Sequence, residues 1–589
     1  MNQPGYYLHW SFLTVSVANL SVILIMLIIF GLALLLPFPK SEMAKNETSD
    51  TSDDKINQES EDSENTMWTA RVRRLLLQLL PPHKLIPDSQ PAYVASWIYV
   101  FGMASLAALA VVIISGLALI VEGPDWWHTN FLGHYFNSLH LWGVELFMAF
   151  MVIHLWGKFW MAAWRGKRAL TWMTGMIAFL TSVIQCFTGY LSQQNFDSQW
   201  IATNGKDAFN PMGIGDLFNL MNFGQMLLLH TVLIPIALVA LIGGHVLLVR
   251  MRGVSHPIPL KKAHDKNEKQ AFAREESADW KGPNIRYDII KEGTLATIIV
   301  FVLSILLAGL FSSPDLPPVT IADWAKNAPA DFMATAASEL DGTSNTANYG
   351  PPYNNGTGSI QTIVIPLQQL GGVHEPINSA HDFVLSPLEK IAPTNPTLAN
   401  ALNTYESTSS TQQHSWDKTY EDAVTKVTFV NGAPVLPAAD DGPVPTLIAT
   451  ELTFARSGAL DADLLAQQPF FGTNYTKPLM FLMDGDYFSS LAKKQNLNGD
   501  QWGMMNETGR YPGQPWLWLY TLWYQIPGLS DSANIDLWAI YLTTVGSILL
   551  LTVPFIPGLR DIPNIIPIHR LVWRKWNKDK TTTTDTTSK

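Results

Sequence analysis

The sequence predicts an all-α membrane bundle of about seven transmembrane helices, together with one large domain outside the membrane. Of its 589 residues, 47% are hydrophobic and 15% are charged, whereas roughly 25% are charged in soluble globular proteins. Seven stretches of about 20 residues carry almost no charge, and this length suits a helix that crosses a bilayer. A polar region of more than 200 residues separates the last two stretches, which predicts a further domain.

The N-terminal part of the chain predicts an anchor, a linker and a surface helix. The first apolar stretch, near 12–37, has no basic segment before it and no small-residue cleavage site after it. We therefore expect residues 1–40 to be a retained anchor rather than a removed signal peptide. Residues 41–66 hold nine Asp/Glu and two Lys, which predicts a disordered linker. Residues 67–80 form a basic amphipathic pattern that suits the membrane surface.

The remaining apolar stretches divide the rest of the chain. They lie near residues 95–120, 137–163, 172–193, 223–250, 293–313 and 536–556. We assign 67–260 to a four-helix bundle and 261–313 to a cytoplasmic loop with the sixth span. Residues 536–589 then hold the last span and a basic tail.

The polar region, 314–535, is the predicted outer domain. It contains 22 Asp/Glu and 9 Lys/Arg and is rich in Asn, Thr, Pro, Gly and Ala. This composition predicts an α+β or irregular fold. Its sequence shows no nucleophile–base pair, phosphate loop or metal-ligand cluster, so we expect a docking or structural role.

Composition also excludes several classes of function. Cys186 is the only cysteine, which excludes an intrachain disulfide framework, a cysteine-based zinc or iron–sulfur site and covalent c-type haem attachment. The net charge is −11 and there is no basic tract, so we expect no nucleic-acid partner.

Four clusters of basic residues lie before the second predicted span and after the third, fifth and last spans, and they predict the orientation of the chain in the membrane. Cytoplasmic loops carry an excess of Lys and Arg, and with seven spans all four clusters fall on one side. We therefore expect a multi-pass cell-membrane protein with its N-terminus and 314–535 outside and its C-terminus in the cytoplasm. The clusters are Arg71, Arg73, Arg74 and Lys84; Lys158, Arg165, Lys167 and Arg168; Arg250, Arg252, Lys261 and Lys262; and Arg560, Arg570, Arg574 and Lys575.

Four histidines lie inside predicted spans, in two pairs of nearly equal spacing. His140 and His154 are 14 residues apart in one span, and His230 and His245 are 15 apart in another. At 1.5 Å per residue, each pair is separated by about 21 Å along its helix. At about 100° per residue, its two members lie near a common face. Each helix therefore offers one imidazole near the outer leaflet and one near the inner leaflet.

This arrangement predicts axial ligands for two stacked b-type haems. Ionisable side chains in a bilayer are costly and usually functional, and two axial imidazoles suit iron to electron transfer. Since the two spans run in the same direction, we pair His140 with His230 at the outer haem and His154 with His245 at the inner haem. The alternative is that each histidine is only a polar contact between helices.

Two pairs of glycines repeat the histidine spacing. Gly102 and Gly116 are 14 residues apart in the second span, and Gly175 and Gly189 are 14 apart in the fourth. Glycine lets a flat ring approach a helix closely, so these glycines predict contacts with the porphyrin edges. The alternative is ordinary packing of small residues between helices.

These segments resemble cytochrome b, the dihaem quinol-oxidising subunit of respiratory and photosynthetic cytochrome complexes. IPDSQPAYVASWIYVFGMAS, which begins at Ile86, is similar to the family's first core helix. H-L-W-G with the later His154 is similar to the second, F-T-G-Y at 187–190 to the third, and H-x14-H to the fourth. The resemblance implies the same haem pairing, and it adds Gly143 to the residues that pack against haem.

The resemblance continues more faintly towards the C-terminus. KEGTL and the later SPDL, within 291–316, resemble the start of the family's C-terminal part. PWLWLYTLWYQIPG, from Pro515, resembles the loop before its next helix. The resemblance implies that most of 314–535 is an insertion in this loop, and that the family's last helices are missing.

Several departures concern quinone chemistry and haem contacts. The family's P-E-W-Y motif is P-W-L-W at 515–518, without a carboxylate, and the arginine that pairs with an outer haem propionate is Asn137. The third core helix continues as LSQQ instead of L-P-W, and the cysteine that holds an extra haem in plastid-type proteins is absent. The resemblance leaves Lys158 and Arg165 as candidate partners of haem propionates and Glu292 as a candidate quinone residue. A solvated charge at a helix start is the alternative for Glu292.

The leading hypothesis is a dihaem b-type cytochrome that transfers electrons across the bilayer in a quinol or menaquinol oxidoreductase complex of a respiratory chain. It implies two non-covalent haems, possible quinone binding, an enzymatic role as an electron-transfer subunit, Rieske-type and cytochrome c-type partners, and a homodimer. One alternative is a dihaem anchor that links an extracytoplasmic dehydrogenase to the quinone pool. Another is a haem-free membrane scaffold. The electron donor and acceptor and the catalytic residues stay open.

Overall fold

A computed structural model describes residues 6–36, 68–79, 86–87, 89–94, 96–259, 280–313, 315–467, 472–498, 502 and 517–578. The described residues are mainly helical, and three two-stranded antiparallel ladders pair β1 with β2, β3 with β4 and β5 with β6. The strands are β1 Tyr7–Trp10, β2 Leu13–Ser16, β3 Ser89–Pro91, β4 Asn284–Arg286, β5 Thr428–Val430 and β6 Ala433–Val435. The predicted linker, 41–66, lies outside the described residues.

Seven helical spans in the described residues are long and apolar enough to cross a membrane, which confirms the predicted spans. They are Val17–Leu35, Trp97–Glu122, Phe131–Trp160, Ala169–Leu191, Phe223–Arg252, Ile289–Leu310 and Ile535–Phe555. The helices that form them are α1 Val17–Leu35, α3 Phe101–Glu122, α5 Phe131–Trp160, α6 Ala169–Leu191, α8 Phe223–Leu228, α9 Ile234–Arg252, α10 Ile289–Leu310 and α23 Ile535–Thr552. The chain is a multi-pass membrane protein with an all-α membrane part.

Shorter helices complete the membrane part and build the outer region. Those that lie outside residues 314–535 are α2 Trp68–Leu79, α4 Pro124–Thr129, α7 Phe196–Phe209, α24 Ile562–Ile565 and α25 His569–Val572. In the outer region they are α11 Ile321–Asn327, α12 Pro329–Leu340, α13 Asn345–Asn348, α14 Leu367–Gly371, α15 Ser386–Ile391, α16 Pro396–Glu406, α17 Ser410–Val424, α18 Val444–Arg456, α19 Ala459–Ala466, α20 Thr476–Asp484, α21 Asp486–Lys494 and α22 Trp518–Leu522.

The chain divides into two compact units. One unit comprises Met1–Leu20, Gln185–Ile234 and Pro314–Thr544, and the other comprises Ser21–Ile184, Pro235–Ser313 and Val545–Lys589. We call the first the outer unit and the second the inner unit, and each is described by itself.

The outer unit has a helical core. Its buried side chains include an aromatic cluster in which the ring centroid of Trp324 lies 5.0 Å from that of Phe332 and 5.2 Å from that of Phe481. The start of α11 is fixed by a capping box, because Thr320 accepts from the Asp323 amide while the Asp323 carboxylate accepts from the Thr320 amide. The outer region, for which an α+β or irregular fold was expected, is therefore helical with one short β-hairpin in its described residues.

The inner unit owes its close helix packing to small residues. A Cβ atom built on Gly143 in α5 would lie 3.1 Å from Val112 Cγ2 in α3, so the absence of a side chain lets these helices approach each other. At the start of α5, the Asn130 side chain accepts from the Leu132 amide at 2.8 Å, which satisfies a donor that the helix leaves free. Gly143, an expected haem contact, therefore contacts Val112 in this structure.

Candidate functional site: a histidine-lined cavity in the inner unit

The inner unit contains a partly open cavity of about 700 Å³, within the range of roughly 300–1,000 Å³ typical of ligand sites. His154 from α5 and His245 from α9 both line it. Gly102 from α3 and Gly175 from α6 also line it. The structure therefore brings together the two histidines that the sequence pairs at the inner position.

Each of the four spaced glycines lies against the imidazole of one spaced histidine. Cβ atoms built on Gly102 and Gly116 would lie 3.1 Å from His154 Cε1 and 3.0 Å from His140 Cε1. A Cβ on Gly175 would lie 2.9 Å from His245 Cε1, and one on Gly189 would overlap the His230 ring. Such distances are tighter than ordinary carbon contacts of about 3.5–4.0 Å. The glycines thus leave room for the histidine rings, a contact that the sequence argument assigned to porphyrin.

The outer histidines occupy comparable surroundings in their own units. In the inner unit, His140 Nδ1 lies 3.1 Å from Ser115 Oγ. In the outer unit, His230 Nδ1 lies 3.0 Å from the Gln185 carbonyl oxygen. His230 also falls in a π-helical turn, Leu229–Leu233, and such turns are frequent at functional sites.

The two predicted propionate partners and Arg168 are among the cationic side chains that line or approach the cavity. Lys158, one of the two predicted propionate partners, lines it and places Nζ 4.2 Å from the ring centroid of Tyr99. Arg165, the other, donates to the His256 carbonyl oxygen at 2.6 Å. Burial, with the adjacent Arg168 charge, lowers the pKa of Arg165 to about 10. Arg168, which was not a predicted site residue, lines the cavity and donates from Nε to the Gly253 carbonyl oxygen at 3.0 Å.

Glu292, the predicted quinone residue, lines the same cavity near the start of α10. The Asp288 side chain caps this helix by accepting from the Lys291 amide at 3.0 Å. Tyr287 also lines the cavity, and burial raises its pKa. The structure thus places Glu292 on the histidine-lined cavity.

An aromatic group that the sequence did not single out lies on the same cavity. Tyr93, His256 and Trp280 line it, with 4.8 Å between the ring centroids of Tyr93 and Trp280. These residues are far apart in sequence and follow no periodic pattern. The chain therefore carried no signal that could have grouped them.

Two departures from the family pattern can be located. Asn137 is buried in α5, with a relative exposure of 3%. In the P-W-L-W segment, Pro515 and Trp516 lie outside the described residues, whereas Trp518 donates from Nε1 to Asn19 Oδ1 at 3.3 Å within the outer unit.

Known proteins are similar to part of this chain. The family model "Cytochrome b(N-terminal)/b6/petB" matches residues 145–318, a range that contains His154, His230, His245 and Glu292. A cytochrome bc complex cytochrome b subunit from Chlorobaculum thiosulfatiphilum is 27% identical over 195 residues, covering 29% of this chain and 45% of that protein. The menaquinol:cytochrome c reductase cytochrome b subunit from Geobacillus thermodenitrificans is 24% identical, covering 30% of this chain and 89% of that protein.

A solved structure, "Hyperthermophilic respiratory Complex III", is 16% identical and covers 70% of this chain and 97% of the matched chain, with a TM-score of 0.30. This chain spans less than half the length of the Chlorobaculum protein. The matches to the Chlorobaculum and Geobacillus proteins cover 29% and 30% of this chain. Through residues 145–318, the chain is similar to the cytochrome b/b6 family.

Proposed function

We propose that this protein is a b-type cytochrome that holds two haems between its membrane helices and transfers electrons across the bilayer, as a subunit of a menaquinol oxidoreductase complex. The observation that carries the proposal is the meeting of His154 and His245 in the lining of one cavity, with Gly102 and Gly175 beside their rings. The printed names of the matched relatives include a menaquinol:cytochrome c reductase subunit, which supports the reaction class.

The residues around this cavity fit a b-type haem. Two imidazoles from different helices are the ligand set of a six-coordinate haem iron, which gains and loses one electron without binding oxygen. His154 and His245 would hold the iron, and the glycines beside them keep both rings close to the neighbouring helices. Lys158 and Arg168 also line the cavity, so they would neutralise carboxylates of the bound group. Arg165, beside Arg168, would strengthen this positive field.

From the histidine spacing in the sequence, we assign the second haem to His140 and His230. Each has its own glycine contact, with Gly116 and Gly189 respectively. On each helix, the outer histidine is separated from the inner one by about 21 Å at 1.5 Å per residue. Two sites at this separation would divide the crossing of a hydrocarbon core about 30 Å thick into shorter steps.

The proposed orientation follows from the basic clusters. It places the N-terminus and the region of 314–535 outside the cell and the C-terminus in the cytoplasm. The cavity of His154 and His245 then lies towards the cytoplasmic leaflet, and Glu292 is the proposed quinone contact there. Further partners are quinone, lipid, Rieske-type and cytochrome c-type subunits, and a second copy of the chain.

A second candidate is a dihaem anchor for an extracytoplasmic dehydrogenase. The absence of a carboxylate from P-W-L-W at 515–518 favours it, because quinol oxidation at the outer side needs a proton acceptor. Purification of the native complex separates the two. A Rieske-type iron–sulfur signal in the purified complex supports the first function, whereas a dehydrogenase subunit without that signal supports the second.

Spectra of native membranes test electron transfer directly. We expect a reduced menaquinone analogue to produce the absorption band of a reduced b-type haem. The band should lose about half its amplitude in His154→Ala and His245→Ala, while His134→Ala, on the same helix as His154, should leave it unchanged. If dithionite itself produces no such band in the wild type, the chain is a haem-free scaffold and the proposal is wrong.

A further inference from the structure

A hydroxyl residue precedes three of the four glycines that contact histidine. The pairs are Ser115-Gly116, Thr174-Gly175 and Thr188-Gly189, whereas Phe101 precedes Gly102. In a helix, a residue next to a contact residue is turned by about 100°, so its side chain can reach the edge of the same neighbouring ring. The glycine thus admits the imidazole, and the preceding hydroxyl can meet its nitrogen.

The hydroxyls do meet that nitrogen. Nδ1 lies 3.1 Å from Ser115 Oγ in His140, 3.2 Å from Thr174 Oγ1 in His245 and 3.5 Å from Thr188 Oγ1 in His230. All of these contacts join residues of one unit.

Each hydroxyl donates its own hydrogen bond to a backbone carbonyl. Ser115 Oγ donates to the Val111 carbonyl at 2.7 Å, Thr174 Oγ1 to the Thr171 carbonyl at 3.0 Å, and Thr188 Oγ1 to the Gln185 carbonyl at 3.1 Å. Because the hydroxyl hydrogen points to this carbonyl, the lone pairs of the hydroxyl oxygen face the histidine. The hydroxyl oxygen therefore accepts from an Nδ1–H.

A backbone carbonyl four residues before the glycine is a second acceptor near the same Nδ1. The Val112 carbonyl lies 3.1 Å from His140 Nδ1, and the Gln185 carbonyl lies 3.0 Å from His230 Nδ1. At His230, the side-chain Nε2 of Gln185 also lies 3.0 Å from Nδ1. At His140, the Val112 contact requires the proton of the imidazole on Nδ1, which leaves Nε2 free to bind a metal. This tautomer is the one that an axial ligand bound through Nε2 needs.

His154 lacks this arrangement. Its Nδ1 is buried and has no hydrogen-bond partner among the described residues. Phe101, at the position before Gly102, carries no hydroxyl, and its ring packs 5.9 Å from that of Phe150. The carbonyl that would lie four residues before Gly102 belongs to Ile98, in the 3-10 turn Trp97–Tyr99 that precedes α3. At His154, the hydroxyl acceptor is therefore missing because residue 101 is Phe, and the carbonyl position four residues before Gly102 falls outside α3.

We propose that Ser115, Thr174 and Thr188 are positioning residues that set the donor strength of their histidines, and that Phe101 leaves His154 the weaker ligand of the inner haem. This inference rests on the proposed haem binding. A hydrogen bond from Nδ1–H raises the basicity of a histidine ligand. A stronger donor stabilises the oxidised iron and lowers its reduction potential, since second-sphere hydrogen bonding is one of the protein's controls on haem potential.

The direct test adds the missing hydroxyl. The test is a redox titration of the purified complex. Phe101→Ser should decrease the equilibrium constant for reduction of the inner haem about tenfold, which lowers its reduction potential by about 59 mV for one electron. Phe101→Leu removes the ring without adding an acceptor and is the matched control. Equal shifts in both variants, or a rise specific to Phe101→Ser, would overturn the inference.

The reverse test removes a hydroxyl with little change of shape. Thr174→Val should raise the inner potential, whereas Thr174→Ser, which keeps the oxygen, should leave it close to the wild type. Potentials that stay unchanged in Thr174→Val, with both haems present, contradict this inference and leave the proposed function standing. A wild-type protein that binds no haem contradicts the proposed function itself, so the two failures are distinguishable.

Discussion

At the scale of residues, spacing predicted more than residue type alone could have done. Histidines 14 and 15 residues apart and glycines 14 apart indicated pairs on common helix faces, and the structure joins each glycine to one histidine ring. The contact of Lys158 with the cavity was also predicted. The contact of Arg168 was not, because a basic cluster at a helix start gives no sign of which side chain turns inward.

The hydroxyls before the glycines were visible in the sequence but not recognised. Ser and Thr are common in membrane helices, where they bond to carbonyls of the preceding turn. Only the distances to His140, His230 and His245 show that these particular hydroxyls face imidazoles.

The glycine contact gives a prediction for the inner site. In Gly175→Ala, the new Cβ would lie 2.9 Å from His245 Cε1. Overpacking of this kind typically lowers the free energy of unfolding by about 1–3 kcal/mol. We expect the ring of His245 to be displaced and the haem-to-protein ratio to fall towards half of the wild-type value.

Gly243 and Gly244 provide matched controls for this change, since they lie in α9 with His245 and a Cβ on either would meet nothing within 4 Å. Gly243→Ala and Gly244→Ala should keep the wild-type haem content. Equal losses from Gly175→Ala and from the controls would show that general helix damage, rather than contact with His245, is responsible.

At the scale of elements, hydropathy predicted all seven spans, because a bilayer requires long uncharged helices whatever their neighbours are. Helix ends were less predictable. The third span was expected near 137–163, but α5 begins at Phe131 because the Asn130 side chain caps it. The π-helical turn at Leu229–Leu233 was also missed, since its hydrogen bonds leave no pattern in the spacing of apolar residues.

The outer region illustrates the limit of element prediction. Its many short helices carry polar surfaces and little periodic signal, so composition alone suggested an α+β or irregular fold. Hydrogen bonds at the helix starts, some of them from distant residues, stabilise these helices instead. At α11, for example, Asp461 accepts from the amides of Ile321 at 2.7 Å and Ala322 at 3.0 Å, a contact across about 140 residues that no local pattern could have indicated.

At the scale of the whole molecule, the acidic character of 314–535 extends into the interior of the outer unit. Glu339, Asp417 and Glu451 are buried, with relative exposures of 0%, 1% and 0%. Both carboxyl oxygens of Glu451 have no hydrogen-bond partner among the described residues. Burial raises the pKa of Glu339 and Glu451 above the usual range, so the folded unit favours their protonated forms.

Asp417 allows this to be tested with one substitution. Burial raises its pKa from 3.8 to about 7, and Tyr405 donates to its Oδ2 at 2.8 Å. Asp341, Glu421 and His414 are the other titratable groups that act on it. Because the folded pKa is raised, the stabilisation is fully present below the unfolded pKa near 4 and is lost as pH rises towards 7.

We therefore expect the melting temperature of the outer unit, measured in the purified full-length protein, to fall between pH 4 and pH 7. Asp417→Asn keeps an acceptor for Tyr405 and removes the titration, so it should flatten this fall. A melting temperature that rises over this range, or an unchanged slope in Asp417→Asn, would contradict the predicted contribution of Asp417.

The division into two units was not predicted from the sequence. Residues 185–234 are part of the outer unit, although the sequence assigns them to the membrane bundle. Sequence patterns report the environment of each segment, but they do not report which distant segments pack together. The predicted bundle, 67–260, and the predicted outer domain, 314–535, therefore stay predictions based on composition.

The central claim is that two b-type haems are held by these four histidines, with one ligand of each haem from the span Phe131–Trp160 and the other from the span Phe223–Arg252. Quantitation of non-covalent haem in the purified protein, as the pyridine haemochrome, tests it most directly. We expect a wild-type ratio of about two haems per chain, because two axial imidazoles serve each iron, and a ratio of about one in the double variant His154→Ala, His245→Ala. A wild-type protein without haem, or a double variant that keeps the full ratio, would contradict the account.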